Sequence, residues 1–564
     1  MSLISPTRED LWLHDDSHET TGDTRSLLRP ASRSFQRMAS SFFAKTLLLE
    51  DLTPRQRCAR LRKQFSRHVP PASGHAVWRT RDPPAAFAFL VSAHDNTSGS
   101  LSFAPSPSSS YFRLASPFSL STRRTSSSSI YCSPVADTDA ARSVTGKSIP
   151  LATLQTLLSI SALPFSLKYA WFLYQGGDLL LPTDGGVLLM KTRRPRVFAE
   201  ALENLLHLEC PNLCKVFRVH FIGESAVDAG AIQREWYFLV AEALLSPTSG
   251  LFSLVNRTDN AYFINPKSAV GMMYAVPLIP MPEPMSRNPR LRHSQAFRAA
   301  GRFIGRALLD GQMLPLHFCP VLFKLLLGIP VTLDDVESLD KTIYSSLRYV
   351  IDNDNAEDLC LTFSATEREG TSVVEVDLIE HGRDIAVTDA NKHKYVELMT
   401  RWLLFDRVHV QLKEMILGLY EIVPPELLIP FDHKEFELIL CGLTEIDVGD
   451  WQANTVVSTN LDSSPVLEWF WEIVDAMSVS DRTKLLQYST GSPRVPVQGF
   501  KGLTSYDGLI CYFTLKGVDY RHGAYPCIHA CYNRIDLPLY PTKQLLDEAL
   551  KMLLLSDPTG FNIE

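Results

Sequence analysis

Apolar and polar residues change their period several times along this chain, and each change predicts an element. From about residue 160 the hydrophobic pattern becomes dense. Pro195 to Leu206 carries apolar residues at helical spacing. Lys215-Val216-Phe217-Arg218-Val219-His220-Phe221 alternates with the two-residue period of a half-buried strand, and Gly223 then breaks it. Ile232 to Leu245 returns to helical spacing, and Pro465-Val466-Leu467-Glu468-Trp469-Phe470-Trp471 opens a further helix.

The organisation shifts near residue 150. Residues 1–150 are rich in Ser, Pro, Arg and Thr, with runs such as Pro105-Ser106-Pro107-Ser108-Ser109-Ser110. Segments of this kind bury too little apolar area to offset backbone ordering entropy, so the region is expected to be largely disordered. One island, Ser41 to Phe65, combines Leu47, Leu48, Leu49, Leu52 and Leu61 with Arg55, Arg57, Arg60 and Arg62, and suits a basic amphipathic helix.

Length and composition bound the rest. A chain of 564 residues has room for two or three domains. Its hydrophobic content of 45% and charged content of 21% are those of a globular protein. A net charge of −7 and a pI near 6.1 argue against a general nucleic-acid binder. The ten cysteines are scattered, and neither Cys210/Cys214 nor Cys527/Cys531 is followed by a second Cys/His pair at zinc-finger spacing, so no metal site and no cofactor is expected. The N-terminal stretch lacks an apolar signal segment, and no apolar run approaches a bilayer span. The expectation is a cytoplasmic protein with free thiols and no integral membrane segment, a nuclear location being compatible.

Most cysteines sit in apolar stretches, such as Cys319 and Cys441. Cys531 differs. It lies in Tyr525-Pro526-Cys527-Ile528-His529-Ala530-Cys531-Tyr532-Asn533-Arg534-Ile535-Asp536-Leu537-Pro538, with an imidazole, a guanidinium and a carboxylate close by. A thiolate is both a strong nucleophile and a good leaving group, which suits it to accept an acyl group and pass it on.

This segment resembles the active-site signature of HECT-type ubiquitin ligases, with Pro526, His529, Cys531, Asn533, Leu537, Pro538 and Tyr540 in register. Ala530 stands where that family usually has Thr, which predicts reduced rather than abolished activity relative to a Thr version. The chain ends Gly560-Phe561-Asn562-Ile563-Glu564, and the family commonly carries a phenylalanine at the place of Phe561. Further landmarks follow in the family's order. Phe221 to Trp236 resembles its Phe-x-Gly-Glu…Asp-x-Gly-Gly…Arg-Glu-Trp block, with Ala231 for the second Gly; Asp228, Arg234 and Glu235 read there as a buried structural network. Tyr262-Phe263-Ile264-Asn265-Pro266, Phe303 to Leu308, and Leu485 to Pro496 resemble others. The resemblance covers roughly residues 165–564.

The resemblance implies an α+β, bilobed fold. A mainly helical N-lobe at 165–451 would include a conjugating-enzyme-binding subdomain at about 315–400. A hinge at 452–462 would lead to an α/β C-lobe at 463–564. The stretch from the Leu485 block to Cys531 is longer than in many relatives, and the excess is expected as an enlarged hairpin between Tyr506 and Tyr520. The implied activity is that of an E3 ubiquitin transferase marking protein substrates for proteasomal degradation. Its partners would be a ubiquitin-conjugating enzyme, ubiquitin and protein substrates. Cys531 would carry ubiquitin as a thioester. Asp536, and less so His529, would help a substrate lysine lose its proton, and Phe561 would anchor the tail during transfer. Ile343, Leu347, Leu359, Leu361 and Tyr395 would line the conjugating-enzyme groove. A non-catalytic scaffold and a cysteine hydrolase are the competing readings; no papain-like Cys/His/Asn arrangement surrounds any cysteine.

Overall fold

A computed structural model describes residues 64–71, 74–80, 87–94, 129–180, 187–209, 212–224, 231–256, 260–268, 289–369, 372–504 and 510–555. Phe561, Asp228, Cys210 and nearly all of the basic island from Ser41 lie outside them. Among the described residues, helix and sheet are mixed, and the large buried side chains fall into two principal clusters.

The first cluster is mainly helical. Its centre is the crossing of the helices Pro289–Leu309 and His409–Tyr420, where Gly301, Gly305 and Gly418 bring backbone against backbone. A β-carbon at Gly418 would overlap the Arg298 carbonyl oxygen, and one at Gly301 that of Met415. The small residues of the Phe303–Leu308 stretch therefore do serve close packing. Arg298, Arg302 and Arg306 repeat every four residues on the same helix and share one face. Arg298 and Arg302 pair with Glu421; Arg302 also donates to the carbonyls of Leu205, Leu206 and Leu208, which end the Val197–His207 helix. Arg306 donates to the carbonyl of Leu213 and to Asp310. A buried guanidinium with this many acceptors recovers much of its desolvation cost.

Order begins well before residue 150. The strands Phe89–His94 and Ser129–Pro134 pair antiparallel, and Phe89, Val91, Ala93 and Val144 are buried in the first cluster. Phe65–His68 and Val77–Thr80 form a second antiparallel pair, while Ala76, Ala140, Ala141, Ile149 and Leu154 make a small satellite core. The Ser/Pro-rich composition of residues 1–150 hides these short strands, of which Phe89–His94 is the one buried in the first cluster.

The second cluster is built on a four-stranded sheet. Its strand order is Thr455–Val457, Phe513–Val518, Arg534–Pro538, Cys527–His529. The first three are parallel and the last closes an antiparallel hairpin. Phe513, Leu515, Ile535 and Leu537 point inward against the helices Pro465–Ala476 and Lys543–Leu555. Two expectations are corrected here. Residues 452–462 are not a hinge: Thr455–Val457 is an edge strand of this sheet, Leu461 is fully buried, and Trp451 stacks on Phe500 at 4.8 Å inside the same core. The passage between the clusters falls earlier, at residues 442–447, since Cys441 belongs to the first cluster while Leu443, Ile446 and Val448 pack on the second. The enlarged hairpin expected from Tyr506 to Tyr520 begins outside the described residues; within them, Phe513–Val518 is an interior parallel strand and not a hairpin arm.

Candidate functional site

Cys531 sits at a turn made by the chain itself. The pairing of His529 with Arg534 closes the Cys527–His529 and Arg534–Pro538 hairpin, leaving 530–533 as its loop. Ala530–Tyr532 forms a single 3-10 turn, and Asn533 then adopts a left-handed φ of 49°. Asparagine tolerates that conformation better than most residues, which gives the Asn of the motif a backbone reason. Its amide is fully buried and donates to the carbonyls of Thr504 at 3.1 Å and Cys511 at 2.8 Å. Cys511 Sγ in turn donates to the Tyr532 carbonyl at 3.2 Å. The turn is thus tied from beneath, and Cys531 itself is a half-exposed free thiol.

Around it, the side chains sort by face. Ile535 and Leu537 enter the core, so Arg534 and Asp536 share the opposite face with His529. His529 Nε2 lies 3.3 Å from Asp536 Oδ2. Arg534 Nε lies 2.9 Å from Asp536 Oδ1, as an ion pair rather than an aligned hydrogen bond. Asp536 is therefore the hub of the polar cluster beside Cys531. His529 is directed at that carboxylate, and among the described residues no hydrogen bond joins it to Cys531. Ala530 is buried, so its methyl faces protein rather than solvent. Tyr525 and Tyr532 flank the loop with more than half their surface exposed.

Three of the other thiols, Cys132, Cys319 and Cys441, are unsuited to the same chemistry. Burial pushes Cys319 up to about 11 and Cys132 up to about 12, and raises Cys441 further. Thiols held protonated in this way are poor nucleophiles.

The five residues expected to line the conjugating-enzyme groove divide. Leu359 is exposed, and Ile343 and Leu361 are half-buried. Leu347 and Tyr395 belong to the core, Tyr395 packing edge-on against Phe363 at 5.6 Å, and so cannot serve as surface contacts. The resemblance that put Leu347 in the groove does not say which side of the helix Lys341–Asp352 meets the core. Tyr349, Val373, Val374 and Ile385 are the other exposed apolar side chains of the same region.

Reading the sequence as a buried network for Arg234 and Glu235 captured half of the arrangement. Glu235 pairs with Arg194 at 2.5 Å, and Arg194 also holds Glu224 at 2.8 Å. Arg234 instead crosses to the second cluster, where Nη1 donates to the Thr490 carbonyl at 2.7 Å and Nη2 to the Thr504 carbonyl at 2.8 Å. Neither Thr490 nor Thr504 carries a sequence signal for this role, because each contributes only a backbone carbonyl. Among the described residues, no group of three or more His, Cys, Asp or Glu side chains could hold a metal ion, and no helix is long and apolar enough to cross a membrane.

The chain is 36% identical over 400 residues to the E3 ubiquitin-protein ligase pub3 of Schizosaccharomyces pombe, covering 71% of this chain and 48% of that protein. It is 33% identical over 400 residues to the E3 ubiquitin-protein ligase RSP5 of Saccharomyces cerevisiae, covering 71% of this chain and 46% of that one. It is also 34% identical over 386 residues to the E3 ubiquitin-protein ligase UPL1 of Arabidopsis thaliana, covering 67% of this chain and 10% of that protein. The chain thus spans about half the length of the first two relatives and a small part of the third. With the model of the HECT-domain (ubiquitin-transferase) family matching residues 238–564, which include the whole Cys531 hairpin, the chain belongs to the HECT family.

Proposed function

We propose that this chain is a ubiquitin-protein ligase that takes ubiquitin from a conjugating enzyme onto Cys531 and passes it to lysines of protein substrates. The observation that carries the reading is the Cys531 turn, a half-exposed thiol on a loop tied down by Asn533 and bordered by the Asp536 cluster. In the first step the Cys531 thiolate attacks the thioester carbonyl of charged conjugating enzyme. A new carbon–sulfur bond forms, and the enzyme's own sulfur leaves as thiolate. Like is exchanged for like, so positioning sets the rate. In the second step a lysine amine attacks the Cys531 thioester, Cys531 leaves as thiolate, and an amide forms. The amine must shed a proton, and Asp536 is the carboxylate placed to accept it, with His529 and Arg534 orienting it.

The two clusters correspond on this reading to the N- and C-lobes of the family, with residues 442–447 as the link between them. Exposed Leu359 and half-buried Ile343 and Leu361 make the conjugating-enzyme contact, where an aliphatic or aromatic anchor contributes most. Phe561 anchors the C-terminal tail during transfer. The free thiols suit a cytoplasmic setting.

The test is a non-reducing gel. Purified chain, activating enzyme, a panel of conjugating enzymes and ubiquitin are combined. The expected result is a ubiquitin adduct that disappears with reductant and is absent in Cys531→Ala. A chain that never acquires a reducible adduct, or a Cys531→Ala variant that still does, overturns the proposal. A scaffold gives no adduct, and a hydrolase releases ubiquitin instead of carrying it.

A further inference from the structure

We propose that Arg234 is a positioning residue, reaching from the first cluster into the second to seat the Cys531 turn for the discharge of ubiquitin. The inference rests on the thioester reading above and deepens it.

Three acceptors converge on one guanidinium. Nη1 donates to the Thr490 carbonyl at 2.7 Å and to Asn533 Oδ1 at 3.4 Å, and Nη2 donates to the Thr504 carbonyl at 2.8 Å. Thr490 is the last residue of the Val479–Thr490 helix, whose C-terminal carbonyls carry partial negative charge. Gly491 follows with a left-handed φ of 76°, a conformation glycine adopts without strain, and it lies in van der Waals range of the Arg234 side chain. Thr504 and Asn533 are already joined to each other by the Asn533 amide. A single side chain from the other cluster therefore holds the helix end, the backbone at Thr504 and the residue that shapes the Cys531 turn in one register.

Arg234 acts through the turn, since one of its hydrogen bonds runs to Asn533, two residues past Cys531, and Asn533 is itself tied to Thr504. A turn already held in one register needs no reorganisation when an amine attacks. The contacts through Arg234 hold the second cluster against the start of the Ala231–Leu245 helix, and not against the 333–404 region proposed to dock the conjugating enzyme. Loading has no need of this register, whereas discharge gains from it.

The experiment separates the two half-reactions in the full chain. Loading is timed from charged conjugating enzyme, and discharge is timed by chasing the isolated thioester with lysine and, separately, with hydroxylamine. Arg234→Ala is expected to slow discharge to both amines by about tenfold or more while loading changes by less than about threefold. Arg234→Lys keeps the charge but cannot reach all three acceptors, so its discharge rate should fall between wild type and Arg234→Ala. Parallel loss of both half-reactions in Arg234→Ala, with thermal melting unchanged or lowered, assigns a purely structural role and overturns the proposal, as does unchanged discharge. Absence of any wild-type thioester defeats the proposed function itself, a different outcome from either.

Discussion

Asp536 is approached by an imidazole at 3.3 Å and a guanidinium at 2.9 Å, and it faces outward on the strand that follows Cys531. On the proposed function this carboxylate takes the proton of the attacking amine. Asp536→Asn keeps the shape and removes the proton acceptor. The expected result is a fall of about a hundredfold in discharge to lysine at neutral pH, with a much smaller change in loading. The loss should shrink when hydroxylamine, which is already unprotonated at that pH, replaces lysine as acceptor. Equal losses with both amines would move the proton-accepting role elsewhere. The carboxylate itself, five positions after the cysteine, is visible in the sequence. Its pairing with His529 and Arg534 shows only in the folded hairpin.

Helices and strands show where local pattern suffices and where it fails. Long periodic stretches predicted at Pro195–Leu206 and Ile232–Leu245 appear as Val197–His207 and Ala231–Leu245. The strand Thr455–Val457 is too short for its alternation to stand out, and its polar neighbours made the region read as a link. The helix crossing at Gly418 makes a sharper point. Gly418→Ala raises intrinsic helix propensity, so helix propensity alone predicts a gain of about 1 kcal/mol. Contact with the Arg298 carbonyl predicts the reverse, because two backbones must part to admit a methyl group. The expected outcome is a loss of about 3 kcal/mol, read as a lower urea midpoint and lower Tm of the first cluster. A stabilised variant would contradict the close approach.

Across the whole molecule, paired charges tie distant segments together, and their response to acid has a definite sign. Burial pushes the Glu421 carboxyl up, but hydrogen bonds from Arg298 and Arg302 outweigh it and leave the group below the usual carboxylate range. In the unfolded chain the same carboxyl titrates near about 4.3. Between the two values the unfolded state binds a proton that the folded state does not, so stability falls as pH drops through that window. At neutral pH the contribution is fully present. Glu421→Gln should be less stable at pH 7 and should lose less additional stability on acidification from about pH 5 to about pH 3.5. Urea melts of both proteins across that range check the difference in slope; parallel curves would count against the pairing.

Residue order alone was enough to locate Cys531, the turn that carries it and the long helices, because those depend on neighbours a few positions apart. A cysteine between a strand and an Asn that accepts left-handed backbone is a local fact. Three matters needed the folded chain. Arg234 reaches Thr490, Thr504 and Asn533 at separations of 256, 270 and 299 residues, and no periodicity encodes such a reach. Leu347 and Tyr395 turn inward where Leu359 turns outward, although all three are apolar, because burial depends on what packs opposite. The strand Phe89–His94 gains its burial from the rest of the molecule, and a composition rich in Ser and Pro could not show it. Local sequence sets which conformations are cheap, and packing between remote segments selects among them.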